Sequence, residues 1–200
     1  MTHYYDEVQT SSEDLEKIVI NTKDLSFELF SGSGVFSRKK IDAGSKLLVE
    51  NALINETDEV LDIGCGIGVV GICVKKFYSQ TKIFFSDVNL RALKITRLNI
   101  DLTKLNKDDL IVKKSYLFDD IKDKEFDVVL SNPPYAAGRK VCFKLIEDSV
   151  NFIKTGGSIQ LVARHNKGGK ALKQKMLEVF GNAEDLAKGS GFRVYISKKR

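Results

Sequence analysis

Residues 59–77 of the chain read EVLDIGCGIGVVGICVKKF, and this stretch is the strongest indication of the architecture. It predicts a short apolar strand from Glu59 to Ile63 and a helix from Ile67 to Phe77, joined by a glycine-rich loop. A strand, a tight loop and a helix in this order form the first part of a crossover unit. Such units build parallel sheets covered by helices.

The same alternation continues toward the carboxyl end. Further strands are predicted at Lys82–Ser86, Leu110–Lys113, Phe126–Ser131 and Ser158–Ala163. Predicted helices run from the N-cap Asn89 to Ile100, from Arg139 to about Lys154, where Gly156-Gly157 ends the helical spacing, and through Leu172–Phe180 to Gly181. The pattern predicts an α/β fold with a doubly wound, mostly parallel, seven-stranded Rossmann-like sheet.

Two hairpins complete the predicted fold. Ala183–Ala187 and the alternating strand Phe192–Ile196 flank the turn Gly189-Ser190-Gly191, which predicts an antiparallel hairpin at the carboxyl end of the sheet. Near the amino end, Lys17–Ile20 and Phe27–Phe30 predict a short β-hairpin, and Asp42–Ala52 a helix. We expect a single domain over residues 1–200, with an extension at 1–52 and a Rossmann-like core at 53–200.

Composition limits the classes of function. The 32 Lys and Arg exceed the 27 Asp and Glu by five, which modestly favours an anionic partner. Three cysteines without a C-x-x-C pair predict reduced thiols in a cytoplasmic protein, and two distant histidines argue against a metal site. We expect neither a signal peptide nor a membrane span. The sequence does not specify an oligomeric state.

The loop after the first strand has the composition of a ligand-binding turn. Gly64, Gly66 and Gly68 let the backbone approach a ligand, and the following helix offers its first N–H groups. Residues 66–71 also satisfy the dinucleotide pattern G-x-G-x-x-G. Asp62 favours another ligand, because its carboxylate would repel a pyrophosphate but attract the ammonium group of S-adenosylmethionine.

Two more segments are predicted at the same edge of the sheet. Asp87, at the end of the second core strand, would accept hydrogen bonds from two ribose hydroxyls, although it could instead cap the next helix. The fourth core strand is followed by Asn132-Pro133-Pro134-Tyr135, which holds both prolines of the chain. Proline restricts its own φ and keeps the preceding residue extended, so this loop holds its acceptors still. An Asn-Pro turn that merely closes the strand remains the alternative.

With these motifs in order, the chain resembles class I S-adenosylmethionine-dependent methyltransferases. It is similar to the methyltransferase small domain family, which includes archaeal proteins and bacterial enzymes that methylate guanine N2 in small-subunit ribosomal RNA. Residues 34–37 and 41–48 resemble that family's amino-terminal segment, which folds over the cofactor. The resemblance implies cofactor contacts from the residues Phe36, Ser37, Asp62, Gly64, Cys65, Gly66, Gly68, Asp87, Val88, Ser115 and Tyr116.

Two features depart from the family pattern. Many relatives carry an acidic residue where this chain has Ser115-Tyr116, which leaves adenine recognition open. Bacterial relatives also have an additional amino-terminal domain, which leaves the route of RNA capture open.

The resemblance implies a catalytic role for Asn132, Pro133, Pro134 and Tyr135. The Asn132 side chain and the Pro133 carbonyl would each accept one N–H of an exocyclic amine, and Tyr135 would stack on the base. The acceptor we expect is guanine N2 in ribosomal RNA, with adenine N6 or a protein glutamine amide as alternatives. Outside this class, the chain could be a nicotinamide-dependent oxidoreductase or a non-catalytic RNA-binding factor. Predicted phosphate contacts at the rim are Arg139, Lys140, Lys167 and Arg193.

Overall fold

The computed structural model describes residues 15–32, 41–133 and 138–200. Four of the predicted site residues lie outside the described residues: Phe36, Ser37, Pro134 and Tyr135. The strands are β1 (Leu15–Asn21), β2 (Ser26–Gly32), β3 (Glu59–Ile63), β4 (Lys82–Asp87), β5 (Leu110–Lys114), β6 (Phe126–Ser131), β7 (Ile153–Arg164), β8 (Glu184–Gly189) and β9 (Phe192–Lys198). The α-helices are α1 (Ala43–Asn51), α2 (Val69–Phe77), α3 (Leu90–Leu102), α4 (Arg139–Ser149) and α5 (Lys170–Phe180).

The main sheet has seven strands in the order β5-β4-β3-β6-β7-β9-β8. Strands β3 to β7 are parallel, whereas β9 pairs antiparallel with both β7 and β8. Strands β1 and β2 form a separate antiparallel hairpin. The predicted fold class is therefore confirmed, including both hairpins.

Apolar side chains bury both faces of this sheet. One cluster contains Leu48 of α1, Ile72 of α2 and Leu93 of α3, together with Ile20 of the amino-terminal hairpin. The other cluster packs α4 and α5 against the opposite face. Helices on both faces explain why the parallel strands are nearly continuous apolar runs.

Helix starts follow the local chemistry of the sequence. The Asn89 side chain accepts hydrogen bonds from the N–H groups of Arg91 and Ala92 and begins α3. Asp42 caps α1 in the same way, accepting from Gly44 and Ser45. These short polar side chains satisfy N–H groups that have no partner within the helix.

The prediction around Gly156-Gly157 is wrong in its boundaries. Helix α4 ends at Ser149, and β7 begins at Ile153, so the glycines interrupt a strand and do not end a helix. Gly156 has φ +85°, and its N–H donates to the Lys199 carbonyl. A bulge at this position shifts the register between β6 and β7. Helical spacing of the apolar residues continued past the true helix end because strand residues happened to match it.

Candidate active site

The predicted site residues follow strands on both sides of the point where the strand order reverses. Strands β3 and β6 are neighbours there, and their connections run to opposite sides of the sheet. The glycine loop follows β3, and Asn132-Pro133 follows β6. Open α/β sheets bind their ligands in the crevice at this position.

Backbone hydrogen bonds hold the glycine loop against β4. The N–H groups of Gly64 and Cys65 both donate to the Ser86 carbonyl, at 2.8 and 3.0 Å. The φ angles of Gly64, Gly66 and Gly68 are +70°, +57° and +85°, a region that other residues rarely adopt. A Cβ on Gly64 would have no atom of the described residues within 4 Å, so this part of the loop borders open space that a ligand can enter.

Gly71 has a different role, which is packing. A Cβ at this position would lie 2.3 Å from Cε1 of the buried Phe85 ring and 2.8 Å from Cγ2 of Ile83. The absence of a side chain therefore lets α2 approach β4. This is the helix–strand packing role of the third glycine in Rossmann-like loops.

Asp62 lies beneath the start of α2 and is almost fully buried. One carboxylate oxygen accepts the Gly71 N–H at 2.9 Å. Burial raises the pKa of Asp62 to about 7, the Gly71 hydrogen bond acts in the opposite direction, and the nearby Asp87 carboxylate raises the pKa further. Two carboxyl groups thus share a poorly solvated region, and a cationic ligand group would relieve their repulsion.

Asp87 connects the glycine loop to α3. Its two oxygens accept the N–H groups of Gly66 and Asn89, each at 2.8 Å. Asn89 caps α3, and Asp87 accepts the backbone N–H of that residue, so Asp87 is not the helix cap. A carboxylate offers about four lone-pair sites, so these two bonds do not prevent Asp87 from accepting hydroxyl donors as well. Val88, the next residue, is half-buried.

The electrostatics of this loop suit S-adenosylmethionine better than a dinucleotide. At the amino end of α2, the Gly71 N–H donates to Asp62 and is therefore not available to a phosphate. The carboxyl groups of Asp62 and Asp87 would also repel the negative charge of a pyrophosphate. S-adenosylmethionine carries an ammonium and a sulfonium group and no phosphate. The residues present therefore fit this cofactor.

Ser115 and Tyr116 follow β5 beside Asp87. The Ser115 N–H donates to the Asp87 carbonyl at 3.1 Å, and its hydroxyl accepts the Asp120 N–H at 3.0 Å. Tyr116 is 43% exposed and presents a ring at this edge of the sheet. An aromatic face can contact adenine where an acidic side chain is missing.

Two other polar residues at the loop are buried. The Cys65 thiol is buried, and burial followed by the charges of Asp62 and Asp87 raises its pKa well above the ordinary value, which disfavours the reactive thiolate form. Ser86 is fully buried, and its hydroxyl has no hydrogen-bond partner among the described residues. It directly precedes Asp87, and sequence reasoning did not single it out.

Asn132 is held by the amino end of α1. Its Nδ2 donates to Asp42 Oδ1 at 3.1 Å and to Ser45 Oγ at 3.0 Å. A carboxylate only accepts hydrogen bonds, so the amide nitrogen must face Asp42, and the amide orientation is determined by chemistry. The Asn132 Oδ1 and the Pro133 carbonyl have no partner among the described residues and remain acceptors.

Four residues that sequence reasoning did not identify support the site. Asp42 and Ser45 orient Asn132, as described above. On α3, the Thr96 hydroxyl donates to the Gly66 carbonyl at 2.8 Å, and Asn99 Nδ2 donates to the Ile67 carbonyl at 2.9 Å. Asn99 also bonds both backbone groups of Phe30 in β2, which ties the amino-terminal hairpin to the loop. Only the capping pattern at Asp42 gave a local signal.

The predicted rim residues fall into two groups at the carboxyl edge of the sheet. Arg139 and Lys140 are exposed at the start of α4. Lys167 and Arg193 lie beyond β7, in the turn before α5 and at the start of β9. Within the part of the chain that the structure describes, no hydrogen bond or ion pair joins the two groups. Among the described residues, no cluster of three His, Cys, Asp or Glu could hold a metal ion, and no helix is long and apolar enough to cross a membrane.

Comparison with known proteins identifies the family. The family described as "Methyltransferase small domain" matches residues 26–196. The protein YbxB of Bacillus subtilis is 29% identical over 98% of each chain. "Ribosomal RNA small subunit methyltransferase C" of Psychromonas ingrahamii is 30% identical over 92% of this chain and 52% of its own, so this chain spans about half of that relative.

Solved structures share the fold. The 16S rRNA N2 methyltransferase RsmC of T. thermophilus, in complex with AdoMet and guanosine, superposes with a TM-score of 0.78 at 19% identity, covering 93% of this chain and 51% of that one. A methyltransferase of Pyrococcus furiosus gives 0.68 at 21% identity, over 78% of this chain and 81% of its own. The resemblance noted from the sequence is thus confirmed, and the chain belongs to the methyltransferase small domain family.

Proposed function

We propose that the chain transfers a methyl group from S-adenosylmethionine to the N2 amine of a guanine in ribosomal RNA. The observation that carries this proposal is the state of Asn132. Its amide nitrogen is engaged by Asp42 and Ser45, which leaves Oδ1 and the Pro133 carbonyl as two neighbouring acceptors. An exocyclic amine has two N–H groups that match this pair.

The residues proposed to hold the cofactor surround the glycine loop. Asp62 would attract its ammonium group, Asp87 would accept from its ribose hydroxyls, and the backbone of Gly64–Gly68 would border it. Tyr116 is the proposed contact for the adenine ring, and Phe36 and Ser37 remain proposed contacts from the resemblance. When bound, S-adenosylmethionine supplies an electrophilic methyl group on a sulfonium.

The acceptor atom is a poor nucleophile, because its lone pair is delocalised into the base. Asn132 Oδ1 and the Pro133 carbonyl would orient the amine so that the lone pair points away from the two N–H bonds. They would also stabilise the positive charge that develops on the nitrogen, because both are preorganised acceptors. Such a site needs no strong base, and one proton can leave to water after transfer. Tyr135 remains the proposed stacking partner, and Pro134 keeps the loop rigid.

Three observations support guanine in ribosomal RNA as the acceptor. The Psychromonas relative is named a small-subunit ribosomal RNA methyltransferase, and the Thermus structure contains guanosine beside AdoMet. The excess of basic residues favours an anionic substrate. Reduced, buried Cys65, Cys73 and Cys142 agree with a cytoplasmic location, which we also propose.

The test is transfer of a tritiated methyl group to total RNA and to isolated ribosomal subunits, followed by nucleoside chromatography. We expect the label in N2-methylguanosine. Label in N6-methyladenosine would show that the acceptor is adenine N6. Label that resists ribonuclease and is found on glutamine residues would show that the acceptor is a protein. No labelled acceptor together with undetectable affinity for S-adenosylmethionine would refute the proposal.

Asn132→Ala separates catalysis from cofactor binding. We expect methyl transfer to fall by roughly 10²-fold, because a preorganised acceptor is lost at the reacting amine. Affinity for S-adenosylhomocysteine, measured by calorimetry, should stay the same, since Asn132 is not among the residues proposed to hold the cofactor. Undiminished turnover would remove Asn132 from the mechanism.

A further inference from the structure

A groove of about 330 Å³ opens at the carboxyl edge of the sheet, beyond the proposed acceptor site. Its walls are the turn that follows β7 and the turn between β8 and β9. The side chains and backbone that line it include His165, Asn166, Lys188, Ser190, Phe192 and Arg193. We call it the β7–β9 groove.

The β7–β9 groove has an excess of positive charge. Arg164, Lys167, Lys170 and Lys188 are exposed around it, and within the described part of the chain none of them forms an ion pair. Among the described residues, the carboxylate that pairs with cations of this region is Asp185, which is shared by Lys173 at 2.7 Å and by Arg193. Several lysines elsewhere do have an acidic partner, among them Lys17, Lys107 and Lys144.

His165 is sensitive to this charge. Its pKa is lowered by desolvation and then by the charges of Arg193 and Lys170. Lys173 acts in the same direction, and Asp185 opposes them. The ring Nδ1 lies 2.9 Å from the Tyr195 hydroxyl, which keeps the ring in place beside the groove.

Arg164 is held in position without a carboxylate. Its guanidinium carbon lies 4.6 Å from the centre of the Phe192 ring. A stacked guanidinium keeps its N–H donors in the plane at its edge, where they can form paired hydrogen bonds to phosphate oxygens. Preorganisation of this kind reduces the entropy lost when an anion binds.

The amino end of α1 connects the groove to the proposed acceptor site. A Cβ on Gly44 would lie 2.9 Å from Cε1 of Phe192. The Gly44 N–H donates to Asp42 Oδ1, the same atom that accepts Asn132 Nδ2. Phe192 and Asn132 therefore meet the same helix end, and one strand of nucleic acid can reach both.

We propose that the β7–β9 groove binds a backbone phosphate of the RNA strand next to the nucleotide that is methylated, through Arg164 and Lys188. The inference rests on the proposed function and adds a second point of attachment to it. Phosphate contacts of this kind set the register of the strand without reading its sequence. They would hold an unpaired guanine over Asn132 while its neighbours remain on the rim.

The first test is binding of a fluorescent single-stranded oligoribonucleotide to the Arg164→Gln/Lys188→Gln variant at a series of salt concentrations. Each neutralised phosphate contributes about 0.7 to the slope of log affinity against log salt for single strands, so the loss of this one phosphate contact should lower the slope by about 0.7. Near 0.1 M salt, that change corresponds to a roughly 5-fold loss of affinity. The matched control is Lys23→Gln/Lys198→Gln, which removes the same charge at exposed lysines away from the groove and should keep the slope of the unchanged chain.

The second test follows His165 by NMR, with His165→Gln to assign its ring signals among the two histidines. A phosphate in the groove should raise the pKa of His165 when the oligoribonucleotide is added, because negative charge favours the imidazolium form. An unchanged slope in the double variant, or a His165 pKa that RNA does not move, would overturn the proposal. Neither measurement requires turnover, so the two proposals can fail separately. Methyl transfer without the smaller salt slope and without the raised His165 pKa would refute only the groove proposal. Both of these changes without methyl transfer would refute only the proposed function.

Discussion

The buried carboxylate of Asp62 should make the chain less stable as pH rises, and Asp62→Asn should remove this effect. The substitution keeps an oxygen that can accept the Gly71 N–H, which Asp62 now accepts at 2.9 Å. It also removes the ionisation that burial and the Asp87 carboxylate oppose.

The size of the effect follows from the difference in pKa between the folded and unfolded chain. The Asp62 pKa is about 7 in the folded chain, against 3.8 for the free side chain. Between these two values the folded state binds more protons than the unfolded state, so the free energy of unfolding falls as pH rises and becomes level above about pH 7. From about pH 5 to about pH 8 the loss covers two units, or about 3 kcal/mol.

The assay is urea unfolding of both chains at these two pH values. We expect Asp62→Asn to gain about 3 kcal/mol relative to the unchanged chain when pH is raised from 5 to 8, whatever constant offset the amide introduces. The same variant should bind S-adenosylmethionine more weakly at pH 8, because it has lost the charge proposed to attract the ammonium group.

Asp127→Asn is the matched control. Burial would raise the pKa of Asp127, but hydrogen bonds from the Glu59 N–H and from Lys154 outweigh it, and the pKa is lowered. The stability from this carboxylate is present above its unfolded pKa and is lost only in acid, so Asp127→Asn should destabilise the chain equally at pH 5 and pH 8. If Asp62→Asn shows the same flat difference, the assignment of a raised pKa to Asp62 is wrong.

Three further predictions concern the loop and its supports. Ser45→Ala should lower the turnover number several-fold and leave cofactor affinity unchanged, because it removes one of two bonds that orient Asn132; an equal loss of cofactor affinity, measured by calorimetry, would contradict this role. Gly71→Ala should destabilise the chain by about 2 kcal/mol in urea unfolding, since its Cβ would overlap the buried Phe85 ring, and unchanged stability would contradict that packing. Binding of S-adenosylhomocysteine near pH 7 should release about half a proton from Asp62, seen as a dependence of calorimetric heat on the buffer, and absent in Asp62→Asn.

The Asp62 arrangement illustrates a conflict between stability and function. A neutral residue in place of Asp62 would make the folded chain more stable at neutral pH. It would also attract a cationic cofactor less strongly. Binding sites commonly lower the stability of the folded chain, because a charge that attracts the ligand has no counter-charge until the ligand binds. The predicted proton release and the predicted gain in stability both measure the raised pKa of Asp62, which comes first from burial and then from the Asp87 charge.

Local features of the chain were enough to predict the order of strands and helices. Apolar runs, helix caps and glycines act within a few residues, so they can be recognised in the sequence without knowing the fold. The glycine loop and the Asn132-Pro133 segment could also be predicted for one edge of the sheet, because parallel strands bring their carboxyl ends together. The start of β7 was missed, because the irregular pairing near Gly156 involves a hydrogen bond to Lys199, which is distant in the sequence.

The state of each site residue depends on contacts between distant parts of the chain. Asp42 lies 90 residues before Asn132, and no local pattern shows that it orients the amide and leaves Oδ1 as an acceptor. The sequence shows that Asp62 is acidic, but its raised pKa comes from the surrounding core and from Asp87. Residue types and their order are written in the chain, whereas hydrogen-bond direction, desolvation and the excess charge of the β7–β9 groove arise when folding brings separate segments together, because each depends on distances in space.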